Sequence, residues 1–277
     1  MSEPSPEVPL RDFGVFGDVH VALGDDFVAR VEIRRGPNNF FDRRLIESLC
    51  DAFERLGADA GCRAIVLASQ GRHFCAGADF SSARSADRAP ARRDPEGDSE
   101  RHLYDEAVRL SETPTPVVAA VQGAAVGGGL GLALLCDFRV AAPEARFSAN
   151  FARLGFHHGF GLSVTLPRVV GPQAAAELLY TGRRVKGDEA LALGLCDRLA
   201  PLEQLRASAH ALAREIAISA PLAVASIRET LRGDLPEAIR RATDREKSEQ
   251  DRLQQTEDWR EGTKAMAERR TPDFKGR

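Results

Sequence analysis

Val121-Gln122-Gly123-Ala124-Ala125-Val126-Gly127-Gly128-Gly129-Leu130-Gly131 joins the apolar run 117–121 to the apolar run 130–136. The first run does not alternate with polar residues and reads as a strand buried on both faces; the second reads as a short buried helix. The glycines between them let backbone approach a ligand without a Cβ in the way. The first amides of a helix have no partner inside it and carry the positive end of its dipole. A strand–glycine–helix passage is therefore a site for negative charge developing on an oxygen. The same glycines also suit close packing of helix on sheet, and the residues alone leave both uses open. Neither Gly-Lys-Ser/Thr nor a Gly-x-Gly-x-x-Gly pattern is present, so the two common phosphate fingerprints are excluded.

A second segment follows the same logic. The apolar run 64–68 leads into His73-Phe74-Cys75-Ala76-Gly77-Ala78-Asp79-Phe80, where small residues leave backbone amides uncovered at a strand end. Cys75, between Phe74 and Ala76, reads as a small buried filler. Outward from these segments, 19–23 and 28–33 flank Gly24-Asp25-Asp26 as a hairpin. Asp42 is placed to cap a helix carrying Leu45, Leu49, Ala52, Phe53 and Leu56 at helical spacing. Leu103, Ala107 and Leu110 mark another inward helix face, and 138–142 another strand. After Gly171-Pro172 only helices are expected, over 173–180, 187–193, 202–219, 222–231, 235–256 and 259–269. Strands alternating with helices, then helices alone, predict an α/β core with a helical C-terminal region.

Composition narrows the function classes. The 277 residues carry 38 Lys and Arg against 41 Asp and Glu, a net charge of −3, which gives no basic footprint for nucleic acid. The five cysteines, Cys50, Cys62, Cys75, Cys136 and Cys196, are scattered without a CxxC or metal spacing and read as reduced thiols of a cytoplasmic protein with no metal site. The N-terminus lacks the apolar stretch of a signal peptide. The uncharged stretch 113–136 is long enough to span a bilayer. Its Pro114, Pro116, Gln122 and five glycines favour a strand, a turn and a helix over a membrane span. Residues 1–12 are read as a flexible leader, 13–200 as the core and 201–277 as the helical C-terminal region. Within the core, 81–101 holds five Arg and five acidic residues without apolar periodicity and reads as a mobile loop.

Read together, Phe74-Cys75-Ala76-Gly77-Ala78-Asp79-Phe80 and the stretch from Pro116 through Gly127-Gly128-Gly129 to Cys136-Asp137 resemble the crotonase superfamily, the enoyl-CoA hydratase/isomerase family. Tyr180-Thr181-Gly182, Ala190-Leu191-Ala192-Leu193-Gly194-Leu195 and Phe274-Lys275 extend the resemblance over roughly residues 15 to 277. It implies a spiral of ββα turns whose C-terminal helices build a homotrimer or a dimer of trimers. It implies an acyl-CoA thioester as ligand, coenzyme A entering only as part of that substrate, with no permanently bound cofactor. By position in the motifs, the oxyanion hole falls on the amides of Ala78 and Gly128, with Ala76, Gly77, Asp79 and Gly127 around it. Phe151 and Phe156 would make the acyl pocket apolar, and Lys275 is a cation for the CoA phosphates.

The departures from the family pattern decide the chemistry. Hydratases of the family carry two glutamates that hold and activate water; the matching positions here are Gly131 and Phe151. Several isomerases use an Asp eight residues beyond the second, and that position is Gly159. Hydration by the two-glutamate route is therefore not expected. Nearby, Leu154-Gly155-Phe156-His157-His158-Gly159 supplies two histidines, which titrate near neutrality. His158 is the first candidate for general acid/base, His157 the second, and Tyr104 a weaker third on the helix that borders the acyl pocket in relatives. The expected function is an acyl-CoA enzyme stabilising a thioester enolate, with isomerase, decarboxylase or atypical hydratase/lyase chemistry. The alternative is a non-catalytic acyl-CoA-binding relative.

Overall fold

The computed structural model describes residues 9–79 and 102–277, so the expected mobile loop 81–101 lies outside the described residues. The strands are β1 (Leu10–Phe16), β2 (Val19–Gly24), β3 (Val28–Ile33), β4 (Ala64–Ser69), β5 (Val117–Val121), β6 (Ala124–Val126), β7 (Phe138–Ala141), β8 (Arg146–Ser148), β9 (Val185–Lys186) and β10 (Arg198–Leu199). The helices are α1 (Arg43–Gly57), α2 (Leu103–Ser111), α3 (Gly128–Leu135), α4 (Leu162–Val170), α5 (Pro172–Thr181), α6 (Gly187–Leu193), α7 (Leu205–Ala217), α8 (Pro221–Arg232), α9 (Leu235–Leu253) and α10 (Glu257–Glu268). The chain is ordered as strand from Leu10, earlier than a leader ending at residue 12 would have it: β1 pairs antiparallel with β2 through a bulge between Asp12 and Gly14.

Two sheets form, ordered β1-β2-β3-β4-β5-β7-β10 and β6-β8-β9. From β3 onward the large sheet is parallel. The chain alternates between the sheets: β5 enters the large one, β6 the small one and α3 follows; β7 and β8 repeat this before α4. This is the expected spiral of ββα turns. Side chains on β4 and β5 divide by parity. Ile65, Leu67, Val117, Ala119 and Val121 join the main core, while Val66, Ala68, Val118 and Ala120 face a second one. That two-sided burial is why these runs show no polar alternation. The uncharged stretch 113–136 resolves into β5, β6 and α3, and no single described helix is long and apolar enough to cross a membrane.

The second core corrects the boundary drawn at residue 201. Leu205, Ala209, Leu212, Ala213 and Ala217 of α7 cover the far face of the large sheet, so α7 belongs to the core. The helix left without apolar cover is α8, which buries no residue; Leu222, Ile227 and Leu231 are 85%, 59% and 69% exposed. Its polar side is anchored. Asp137 accepts from Val117 N (2.8 Å), Arg228 Nε (3.0 Å) and Arg232 Nη1 (3.2 Å).

Asp42 caps α1 as expected, its carboxylate accepting from Leu45 N at 2.9 Å and pairing with Arg35 at 2.6 Å. Asp42→Ala is expected to lower stability by about 1 kcal/mol, read as a lower urea midpoint at unchanged slope.

Candidate active site

The site is built from the meeting of the two glycine-bearing segments. Phe74 N donates to Gln122 O (2.8 Å), Cys75 N to Ala124 O (2.9 Å) and Val126 N to Cys75 O (3.1 Å), making a parallel bridge between Cys75 and Ala125. Gly77 then lies against Val126. Its φ is +86°, and a Cβ there would sit 2.9 Å from Val126 O, so only glycine fits. Asn39, fully buried, fastens the segment from below by donating to Gln70 O (2.8 Å) and His73 O (2.6 Å). Ala76 N donates to Asn38 O (3.0 Å) and Phe41 N to Gly77 O (2.8 Å).

The two expected oxyanion donors lie just beyond, Ala78 next after Gly77 and Gly128 two residues after Val126. Gly127, at φ +57°, turns the chain into α3, and its carbonyl accepts from Leu130 N and Gly131 N. The N–H groups of Ala78 and Gly128 donate to no acceptor among the described residues, and both residues are half-buried. They are left for an outside acceptor, with the α3 dipole behind Gly128. Asp79 follows, half-buried. Cys75 is wholly buried under Gly129, and burial pushes its thiol up to about 12, consistent with a filler.

The three positions expected from the resemblance to hold carboxylates, 131, 151 and 159, are surrounded or occupied by aromatic groups. A Cβ at Gly131 would lie 2.9 Å from the Phe160 ring. Phe151 itself is buried, 5.4 Å from Phe156, whose other neighbour is Trp259 of α10 at 4.5 Å. A Cβ at Gly159 would collide with the Tyr104 hydroxyl. Phe41 crosses Phe160 edge-on at 4.8 Å and abuts Gly128. Tyr104, from α2, thus reaches the spot that sequence position assigned to a carboxylate.

The loop carrying the histidines is held by α9. Gln250 accepts from Tyr104 Oη (2.6 Å) and donates to His157 O (2.8 Å). Glu246, fully buried, accepts from Gly161 N (2.8 Å) and Ser163 N (2.9 Å), capping α4 from another helix. Burial raises its carboxyl above the usual range. His158 Nε2 is 2.8 Å from Ser163 Oγ and 4.0 Å from Glu246, so its ring sits in this capping network. His157 stacks on it at 4.1 Å and turns Nδ1 to the His158 carbonyl. Lys275 lies apart: its ammonium pairs with Asp273 (2.7 Å) and its backbone N–H with Asp258 of α10 (2.7 Å). Asn39, Glu246, Gln250 and Trp259 escaped the sequence reading. Of these, only the Asn-Asn pair before a helix cap carried a usable signal.

Burial, reinforced by His157, holds the His158 imidazole at about 4. The unfolded chain, near 6.5, takes up this proton first. Stability from the neutral ring is complete above about pH 6.5 and is lost toward pH 4, by up to about 3 kcal/mol. Urea titrations at several pH values are expected to show this loss, and His158→Gln to flatten it.

Residues 25–277 match the enoyl-CoA hydratase/isomerase family. A probable enoyl-CoA hydratase of Bacillus subtilis is 34% identical over 91% of this chain and 96% of its own. Human mitochondrial delta(3,5)-delta(2,4)-dienoyl-CoA isomerase is 35% identical over 77% of this chain and 65% of its own. The crystal structure of an enoyl-CoA hydratase/isomerase from Pseudoalteromonas atlantica superposes with a TM-score of 0.81 at 30% identity, covering 93% of this chain and all of that one. On matched length, fold and motif positions together, the chain belongs to the enoyl-CoA hydratase/isomerase family.

Proposed function

We propose that the protein is an enzyme that binds an acyl-CoA thioester and stabilises its enolate between the N–H groups of Ala78 and Gly128. The observation that carries this is the pair of half-buried amides, without an acceptor among the described residues, that follow the Cys75–Ala125 bridge on its two segments. Two such donors in a water-poor site contribute roughly 3 kcal/mol each to a developing oxyanion. Two such donors also bind the ground-state thioester carbonyl, but they are worth more to the charged oxygen of the transition state, which favours an enzyme over a mere acyl-CoA holder. Ala76, Gly77, Asp79 and Gly127 frame the thioester, Phe151 and Phe156 face the acyl chain, and Lys275 serves the CoA phosphates when it leaves Asp273.

For proton transfer, Tyr104 is favoured over the histidines, because its hydroxyl stands against Gly159. A His158 neutral down to about pH 4 is a weak base at pH 7. Two-glutamate hydration has no counterpart in Gly131 and Phe151. Calorimetry is expected to show binding of butanoyl-CoA, with hydration of crotonyl-CoA below about 0.1 per second, some 10²-fold under ordinary enzyme rates. Gly128→Pro, which removes one donor and strains the turn, is expected to weaken both binding and turnover. Hydration at ordinary rates would overturn the reading.

The apolar stripe of α8 favours assembly as a homotrimer or a dimer of trimers. Sedimentation at micromolar concentration is expected to give a trimer or hexamer, and the double change Leu222→Asp, Ile227→Asp a monomer that remains folded.

A further inference from the structure

At the end of β5 opposite the glycine turn, three arginines gather around one carboxylate. Arg228 and Arg232 of α8 both bond Asp137, through Nε at 3.0 Å and Nη1 at 3.2 Å. Arg168 of α4 joins them at the rim: it is exposed, its Nη2 donates to Leu231 O, and its charge bears on Arg232. Among the described residues, Asp137 is the one carboxylate that pairs with any of the three. Three guanidinium groups against one carboxylate leave positive charge uncancelled. Arg228 Nη1 also donates to Thr113 O (2.7 Å), but a carbonyl satisfies a hydrogen bond without neutralising an ion.

The groups left over are all donors. Among the described residues, five buried side-chain atoms have no hydrogen-bond partner, and three of them stand in this cluster: Arg228 Nη2, Arg232 Nε and the hydroxyl of Thr113. Thr113 is 6% exposed, and the Arg228 and Arg232 side chains 12% each. A buried donor without an acceptor destabilises the fold, and a charged one more so. The two α8 guanidiniums also oppose each other. Burial first, then Arg228, holds Arg232 below its ordinary range, against the pull of Asp137.

The ligand that complements such a cluster accepts hydrogen bonds and carries negative charge. Guanidinium forks match the paired oxygens of phosphate and sulfate. A water molecule would accept from the same donors and leave the charge as it is. The small exposure of Arg228 and Arg232 admits a free ion more readily than a phosphate carried on a large molecule. The geometry points to a structural site for one inorganic oxyanion, of the phosphate or sulfate class, bounded by Thr113, Arg168, Arg228 and Arg232. The ion would tie α4 and α8 to the starts of β5 and β7. This inference is independent of the enolate reading, since β5 separates the cluster from the Gly127 turn.

The test takes the full-length protein in chloride buffer and adds inorganic phosphate or sulfate at constant ionic strength, with calorimetric titration and thermal unfolding as readouts. Expected are one saturable site per chain with a Kd below about 1 mM and an unfolding midpoint raised by roughly 3 °C at a tenfold excess over Kd. Arg232→Gln is expected to weaken binding by at least about 10-fold and to abolish the shift. It should stay folded, because Arg228 and Val117 N still hold Asp137. Arg168→Gln, which orphans no carboxylate, is expected to weaken binding several-fold. Arg241→Gln, on the exposed side of α9, should bind as the native protein does. Absence of saturation up to about 10 mM would overturn the inference. An equal shift in the native protein and Arg232→Gln would do so too, since it reports general exclusion of these salts from protein surface. Displacement of phosphate by butanoyl-CoA would place the ion at the thioester site instead. Dissociation of an Arg232→Gln assembly, with no phosphate bound by the native one, would assign the cluster to a carboxylate of a second copy and equally end the proposal.

Discussion

Everything in the site hangs on one short stretch of strand pairing. Three backbone hydrogen bonds between 74–75 and 122–126 bring together two segments separated by almost fifty residues. Ala78 and Gly128 each follow the Cys75–Ala125 bridge by three residues, and the proposed oxyanion hole depends on it. The glycines follow from it. Gly77 has no room for a side chain against Val126 O, nor Gly129 against Cys75. Backbone donors fixed by sheet hydrogen bonds do not reorganise when charge appears, which is what gives such a hole its catalytic worth.

Around this frame aromatic rings pack tightly against small residues. Phe160 takes the space beside Gly131, and Tyr104 that beside Gly159. Each pairing is a packing match: the small residue exists because the large one leaves it no volume. A carboxylate side chain at Gly131 or Gly159 would require Phe160 or Tyr104 to move first, so these positions are held small by mutual sterics.

Much of this was legible before any coordinates. The two-sided strands β4 and β5 announced themselves by unbroken apolar runs, and the Asp42 cap and the six C-terminal helical stretches by spacing and punctuation. What was missed has physical reasons. Strands β6, β8, β9 and β10 are two or three residues long, too short for any period to show. Helix α4 starts without a side-chain cap of its own and contains Pro167, because its cap comes from Glu246, eighty-three residues past Ser163. Helix α9 is so charged that Glu246 and Gln250 read as surface, yet four residues apart they share one face, and that face is buried on the histidine loop. The two segments that meet at the Cys75–Ala125 bridge were marked in the sequence by small residues at strand ends; the partners of His158 were not, because they depend on tertiary contact.

The long reach of α9 and α10 has a bearing on how the protein is made. A nascent chain can close the Cys75–Ala125 bridge as soon as β6 is out, roughly midway through synthesis. The loop at 157–163 then waits for residues 246 and 250, and the turn at Gly155 for Asp258 and Trp259 packed against it. The bridge between the two glycine-bearing segments can therefore form long before the contacts from α9 and α10. A chain cut short after α8 would carry the bridge with an unpinned loop, and roughly the last sixth of translation is what fastens residues 157–163 and the turn at Gly155.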